Sequence, residues 1–452
     1  DIPRARQGDE PFLRAVAHKL AVGLHAARDT ASLEYRTEQC AFGLTLLHLH
    51  EITCDVAQLD AALGAAAMAV GALEAAELPP SATFFVRTWV YAQRLLSRHG
   101  VGAEDIRRAL DAGKMVLAYS ADRFAEDATG RRMLSVELAE TLLDQYRVAG
   151  EIEILDDALD LISEPQDDTQ SLCLRGELCL ERFYRLGDRE DLTRALGFGA
   201  RAQSLATAAA HPDSLRAARL LSLAVAERFN AVMNLDELDR AVSYARAAVA
   251  QCRSGPSLRS TTSTELASAL FRRYSANGKL ADLDEAIQTL QRTAHPSPAA
   301  PGPHTRIPPD AVLGLALAHH GAHAAVNSAA EVDEGIRLLS GARRTFSGRA
   351  DLHAQLFRDL ASAHFLRFQR QHAQQDIDEA ILHTESALER VPAEDALRPP
   401  LALQLAQMLL ARHALKPSPG YIACALDQLR AAATSAAAPP AVRLRAAMAW
   451  AR

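Results

Sequence analysis

Histidine pairs are the first candidates for chemistry in this chain. His319 and His323 stand four residues apart, so on a helix they share one face and could bind a metal ion together. His48 and His50 are two residues apart and point to different sides of a helix. Glu51 adds a carboxylate beside His50, but the spacing keeps these side chains apart. His319 and His323 have no third ligand nearby and lack the HExxH pattern of zinc peptidases. We predict no metal site and no cofactor, and we interpret His319 and His323 as weakly polar positions on a solvent-facing or groove-facing helix.

Cysteines are the second candidates, and a peptidase dyad is the chemistry to test. Cys424 could form a cysteine–histidine dyad with the histidine of His99-Gly100 or His320-Gly321. In caspase-like peptidases the two residues lie at the ends of neighbouring strands, whereas His320 and Cys424 fall within helical patterns, so only the residue types match. No GxGxxG or GxxxxGK[ST] motif is present. The segment is therefore predicted not to be an enzyme. The cysteines are scattered without CxxC or zinc spacing, which favours buried, reduced thiols: Cys40, Cys54, Cys173, Cys179, Cys252 and Cys424.

Arginines at regular spacing form the third candidate group. Each of five is followed by a ring side chain: Arg182, Arg228, Arg273, Arg367 and Arg412. They could present a row of guanidinium groups to an acidic partner, so together with His319 and His323 they make up the candidate interaction surface. Alternatively, each could pair with the acidic start of the following helix or cap the last carbonyls of its own helix. Regularity across the chain favours the structural role.

These arginines follow an internal repeat. An apolar residue, a small residue three positions later and an apolar residue directly after it recur nine times, at a period near 45 residues. The small central residues, called anchors below, are Ala62, Ala109, Ala158, Ala195, Ala241, Ala286, Gly335, Ala380 and Ala425. Each of the five arginines lies 13 residues before an anchor. Such a repeat predicts stacked helix pairs, and a small anchor allows the helices to approach closely.

The stretch from Glu265 to Ile287 contains one helix pair of this repeat. Asn277-Gly278 is predicted to end the first helix, because glycine tolerates the left-handed conformation. Asp282 is placed to cap the second helix. The one short step between anchors, from Ala158 to Ala195, predicts a trimmed repeat.

We therefore predict an all-α solenoid of about nine antiparallel helix pairs. Residues 1–37 are expected to form an N-terminal helix, cap or partial repeat, residues 38–294 repeats one to six, and residues 311–435 repeats seven to nine. Prolines predict an extended or disordered loop over residues 295–310. Residues 436–452 are expected to begin a further repeat, and because the chain stops inside an apparent helix we interpret it as part of a longer protein.

Composition excludes several classes of partner. The net charge of −7 is spread over 452 residues without acidic or basic blocks, so neither nucleic acid nor an anionic membrane surface is expected to bind. No run of about 18 apolar residues and no signal-peptide pattern is present, so we expect no membrane contact and a cytoplasmic protein. Aromatic residues make up only 5%, which suits closely packed helices.

The repeats resemble a known family. The segments ALFRRYSANGKLADLDEAI and FLRFQRQHAQQDIDEAI resemble the tetratricopeptide-like (TPR-like) arrays found upstream of CHAT domains, which are caspase- and separase-related peptidase modules. The resemblance implies a right-handed superhelix whose first helices line the concave side. No CHAT catalytic histidine or cysteine motif is present, so a peptidase domain is expected only outside this chain.

These observations favour a non-catalytic scaffold for protein–protein interaction. Its concave groove is expected to hold a protein, a peptide or a downstream domain of its own protein, as the regulatory arm of a CHAT-type peptidase. The alternative is the ligand-sensing arm of a signalling ATPase of the NLR/STAND type or of a transcription regulator. A third, enzymatic interpretation has only the scattered histidines for support.

Overall fold

Twenty helices in chain order make up the fold, which comes from a computed structural model. It describes residues 10–27, 29, 32–53, 55–70, 78–79, 81–97, 103–123, 127–163, 168–209, 213–252, 256–293, 308–345, 350–393 and 395–451. No strand occurs within these ranges, and no helix in them is long and apolar enough to cross a membrane. Most of the proline-rich segment, residues 294–307, lies outside the described residues.

Nine helix pairs follow one another along the chain. Their first helices are α2 (Leu33–Thr53), α4 (Ala82–Ser97), α6 (Ala128–Ala149), α8 (Thr169–Leu186), α10 (Ser214–Val232), α12 (Pro256–Asn277), α14 (Pro309–Ala322), α16 (Ala350–Gln371) and α18 (Arg398–Leu415). Their second helices are α3 (Val56–Val70), α5 (Ala103–Arg123), α7 (Ile152–Leu161), α9 (Arg189–Ala209), α11 (Leu235–Gln251), α13 (Leu280–Thr293), α15 (Ala329–Thr345), α17 (Gln374–Leu388) and α19 (Pro419–Thr434). Helix α1 (Glu10–Ala26) precedes the pairs and α20 (Pro440–Trp450) follows them. The predicted all-α solenoid is confirmed.

Anchor residues form the contact between the two helices of a pair. All eight anchor alanines are 0% exposed, and Gly335 is buried as well. Gly335 packs against Gly314 of α14 so closely that a Cβ there would lie 2.5 Å from the Gly314 carbonyl oxygen. The apolar neighbours of the anchors are mostly buried too, but Ile422 and Leu426 of the ninth pair are 37% and 41% exposed.

In six pairs, a left-handed residue lies in the turn between the two helices, eight positions before the anchor. Gly278 has φ of +70°, and its N–H donates to the Tyr274 carbonyl at 2.7 Å, as its position in the sequence predicts. The same position is left-handed in the other five, where it is occupied by Gly150, Gly187, Met233, Asn327 and His372. The turn geometry is therefore a property of the repeat, and non-glycine residues adopt it where glycine is missing.

The trimmed repeat lies where the anchor spacing shortens. Helix α7 has 10 residues, fewer than any other second helix among the described residues. It begins at Ile152 directly after the turn at Gly150 and ends at Leu161. The anchor Ala158 remains fully buried, so the contact within the pair is kept although the helix is short.

Candidate ligand-binding groove

A large cavity lies against the first helices of the central and C-terminal pairs. It has a volume of about 1090 Å³, and its walls come mainly from α8, α10, α12, α14 and α16. Small hydroxyl side chains such as Ser222, Thr264 and Ser268 alternate in its lining with the rings of Phe229 and Phe271. First helices therefore supply most of the helical residues that line this cavity.

Contacts between distant repeats bound this cavity. Arg185, at the end of α8, forms an ion pair with Asp395, which lies 210 residues further along the chain. The left-handed Gly187 lies beside the same region, where a Cβ would be 3.5 Å from the Ala396 Cβ and from the Ala437 carbonyl oxygen. Helices α10 and α20 are also in contact. The solenoid thus completes a turn. We call this contact the closure; it joins residues 185–187 to residues 395–396 and 437.

Buried ion pairs connect neighbouring first helices along the array. Arg94 of α4 donates to Glu137 at 2.8 Å and approaches Glu140 at 2.9 Å, both on α6. Glu140 in turn accepts from Arg216 of α10 at 2.7 Å, and Arg216 also contacts Glu177 of α8. Burial alone disfavours the charged carboxylate of Glu140, but the two guanidinium groups outweigh it and lower its pKa to about 2. These ion pairs therefore hold the first helices of neighbouring repeats together.

The five arginines of the predicted interaction surface form ion pairs at the outer ends of the repeats. Arg273 donates to Asp282 at 2.7 Å and to Asp239, in the second helix of the preceding pair, at 2.8 Å. Arg367 bridges Asp376 and Asp333 in the same way. Arg273 and Arg367 therefore each join their own second helix to the second helix of the preceding pair. None of the seven predicted surface residues lines the cavity described above: Arg182, Arg228, Arg273, Arg367, Arg412, His319 and His323.

Of the remaining three arginines, Arg182 keeps this pattern and the other two vary it. Arg182 pairs with Asp191 of its own second helix and with Asp156 of the preceding one. Arg228 contacts Glu237. Arg412 donates to Asp378 of the preceding pair at 2.6 Å, and its guanidinium lies 5.6 Å from the ring centre of Tyr421, which replaces the usual carboxylate. That these side chains also present a surface to an acidic partner stays a prediction.

The sequence predicted the acid at the start of the second helix as an arginine partner, but it also predicted Asp282 as a cap and did not predict the acidic partner in the preceding pair. Asp282 is the third residue of α13 rather than its cap, and its buried carboxylate accepts from Arg273 instead of from backbone amides. The partner in the preceding pair always lies two residues before an anchor, so the anchor register itself could have identified it. This second set consists of Asp156, Asp239, Asp284, Asp333 and Asp378.

His320 takes the place of arginine in the seventh pair. Its Nδ1 lies 2.6 Å from Glu331 and its Nε2 3.0 Å from Asp284, which are the two acidic positions that the other repeats offer to arginine. The neighbouring His319 is half-buried, with Phe271 and Tyr274 at its edges, and desolvation of its ring lowers its pKa to about 4. His323 ends α14 and accepts from the Ala325 N–H at 3.2 Å. The three histidines therefore have separate structural roles.

The described cysteines are free thiols. Burial raises the pKa of Cys40 and Cys173 to about 12 and that of Cys179 to about 11, which keeps all three thiols protonated. Cys424 lies exposed on α19, so the expectation of buried thiols is wrong at this position. Cys54 lies outside the described residues. Within the described part of the chain, no group of three potential metal ligands lies together.

Comparison with known proteins identifies the fold. No family model and no curated protein matches the sequence. The apo form of RapI superposes with a TM-score of 0.52 at 11% identity, covering 87% of this chain and 97% of that one. A Rap protein complexed with competence and sporulation factor gives a TM-score of 0.44 at 9% identity, with 87% and 99% covered. A human IFIT1 dimer with m7Gppp-AAAA gives 0.41 at 14%, with 89% and 78% covered. The chain thus has the fold of TPR-like helical repeat proteins.

Proposed function

We propose that this chain is a non-catalytic binding module that holds a segment of another protein, or a peptide, in its concave groove. The observation that supports the proposal is the cavity of about 1090 Å³ whose walls are regular helices from five consecutive repeats and whose rim is bounded by the closure. Helices fix their side chains more rigidly than loops do, which lowers the entropy lost when a ligand binds.

The lining has the chemistry of a peptide site. The hydroxyl of Ser268 donates to the Thr264 carbonyl and keeps lone pairs that can accept from a peptide N–H, and the rings of Phe229 and Phe271 offer apolar contact area. The protonated thiols of Cys40, Cys173 and Cys179 add no activated nucleophile, in keeping with a module that binds and does not react.

The sequence resemblance extends the proposal to a biological setting. In a CHAT-type protein the groove would bind a segment that restrains or releases a linked peptidase, so the module would act as a regulatory arm. In the full-length protein, Ser268→Trp should then change peptidase activity. Unchanged activity, or a nucleotide-binding module in place of a peptidase in the complete gene product, would favour the sensing arm of a signalling ATPase instead.

A peptide library tests the binding function directly. Twelve-residue peptides displayed on phage are selected for binding to the wild-type chain. The affinity of each selected peptide is then measured for Ser268→Trp, which places an indole in the cavity. The matched control is Ser204→Trp on helix α9, which does not line the cavity. We expect selected peptides to bind the wild type and Ser204→Trp equally and to lose at least about tenfold in affinity with Ser268→Trp. If every selected peptide binds all three proteins alike, the groove is not the binding site.

A further inference from the structure

We infer that the groove selects an acidic protein segment, which Arg189, Arg443 and Arg445 hold. The inference rests on the proposed function and specifies the charge of its ligand. It follows from a comparison of the charged groups around the cavity: most lining carboxylates already form ion pairs, whereas three lining arginines form none with the described residues.

The carboxylates that line the cavity are largely neutralised by the chain itself. Glu227 accepts from Arg272 at 2.6 Å, and Glu265 accepts from Arg219 at 2.8 and 2.6 Å. Asp359 is buried and accepts from its neighbour Arg358 at 2.9 Å. Asp395 forms an ion pair with Arg185 in the closure. Asp188 accepts a hydrogen bond from the Glu190 N–H. A cationic ligand would have to displace these bonds.

Three lining arginines have no such partner. Arg189, the first residue of α9, and Arg443 and Arg445 of α20 are exposed and form no ion pair with any residue in the described part of the chain. The closure brings the turn between α8 and α9 against the segment that leads into α20, so these charges flank one region of the cavity. Among the described residues, the groove therefore offers three positive charges without an ion pair against one lining carboxylate without a cation, Asp188, in a chain whose net charge is −7.

An acidic peptide fits this arrangement better than a nucleic acid. A nucleic acid carries a charge at every phosphate, so its backbone would also pass the lining carboxylates Glu227, Glu265 and Asp359. A peptide can place acidic side chains at the arginines and neutral ones elsewhere. Guanidinium groups bind carboxylates in a planar, two-bond geometry, which adds selectivity for Asp, Glu or a terminal carboxylate.

Fluorescence anisotropy with three labelled 12-residue peptides tests the inference. The peptides alternate Ser with Glu, Gln or Lys, and the wild type is compared with Arg443→Gln/Arg445→Gln. The matched control, Arg292→Gln/Arg344→Gln, removes two exposed arginines of the outer helices α13 and α15 that do not line the cavity. At 50 mM salt we expect the Glu peptide to bind the wild type tightest. We expect the α20 double variant to lose about 3- to 30-fold in affinity and the control less than about twofold.

Other outcomes would separate the charge preference from the proposed function. If the Gln peptide binds as tightly as the Glu peptide and both are lost with Ser268→Trp, the inference fails while the groove function stands. Equal losses of affinity for the Glu peptide in the α20 double variant and in its control would also overturn the inference. A labelled 12-nucleotide oligouridine that binds more tightly than the Glu peptide, and is lost with the α20 variant, would assign the arginines to nucleic acid instead.

Discussion

The close crossing of α14 and α15 allows a sharp test of the anchor rule by the substitution Gly335→Ala. A Cβ added there would lie 2.5 Å from the carbonyl oxygen of Gly314, 2.9 Å from the amide nitrogen of Ala318 and 3.0 Å from its Cβ. Ordinary contacts begin at 3.4 Å, so the helices must move apart by about 0.9 Å, the difference between 2.5 and 3.4 Å. Two of the three contacted atoms belong to the backbone, and therefore no rotamer change relieves the clash.

The magnitude follows from two opposing effects. Overpacking in a closely packed contact costs up to about 3 kcal/mol, whereas replacing a helical glycine by alanine gains about 1 kcal/mol. We expect Gly335→Ala to lower the free energy of unfolding by about 2 kcal/mol. The same helix provides the control, because a Cβ on Gly341 meets no atom within 4 Å and Gly341→Ala should stabilise by about 0.5–1 kcal/mol.

Urea denaturation followed by circular dichroism measures the global effect of both variants. Because repeat arrays can unfold in parts, hydrogen exchange of peptides from α14 and α15 measures the local free energy as well. The two variants should differ in sign, by about 3 kcal/mol in total. Equal, stabilising changes in both would refute the argument, since they would show that Gly335 is not at a close crossing and that the anchor register is misplaced.

Three further predictions concern the links between repeats, the half-buried histidine and the turns. Arg273→Met should destabilise by about 3 kcal/mol in urea unfolding because Asp282 is left buried without its cation. Asp239→Asn should cost less than about 1 kcal/mol, because the Asp239 side chain is 64% exposed. The pKa of His319 is lowered from 6.5 to about 4, so its contribution to stability is complete above pH 6.5 and is lost as the pH falls toward 4. Between pH 7 and pH 5, the unfolding free energy of the wild type should therefore fall by about 2 kcal/mol more than that of His319→Leu. His372→Gly relieves a left-handed residue at φ +57° and should raise the unfolding midpoint by the equivalent of about 1 kcal/mol, and Gly278→Ala should lower it by a similar amount.

The sequence was informative wherever one repeat sufficed to explain the role of a residue. The turn at Gly278 was predicted because glycine occupies it, and four of the five arginines pair with the start of the next helix, one of the two roles considered for them. His320 was missed because it performs the arginine's role two positions away from the repeat register. His319 was placed on an exposed or groove-facing side, but it is half-buried and the rings of Phe271 and Tyr274 in the preceding repeat pack against it.

The sequence by itself determined the helix pairs, their anchors and their period, because each pair is stabilised by its own residues and its immediate neighbours at a fixed spacing. Only the tertiary structure decided where the array turns back on itself. The ion pair of Arg185 and Asp395 spans 210 residues and depends on small rotations that accumulate over four repeats, which no local pattern encodes. The same accumulated curvature brings Arg189 and Arg443 to one cavity, so the candidate binding site could be found only in the folded chain.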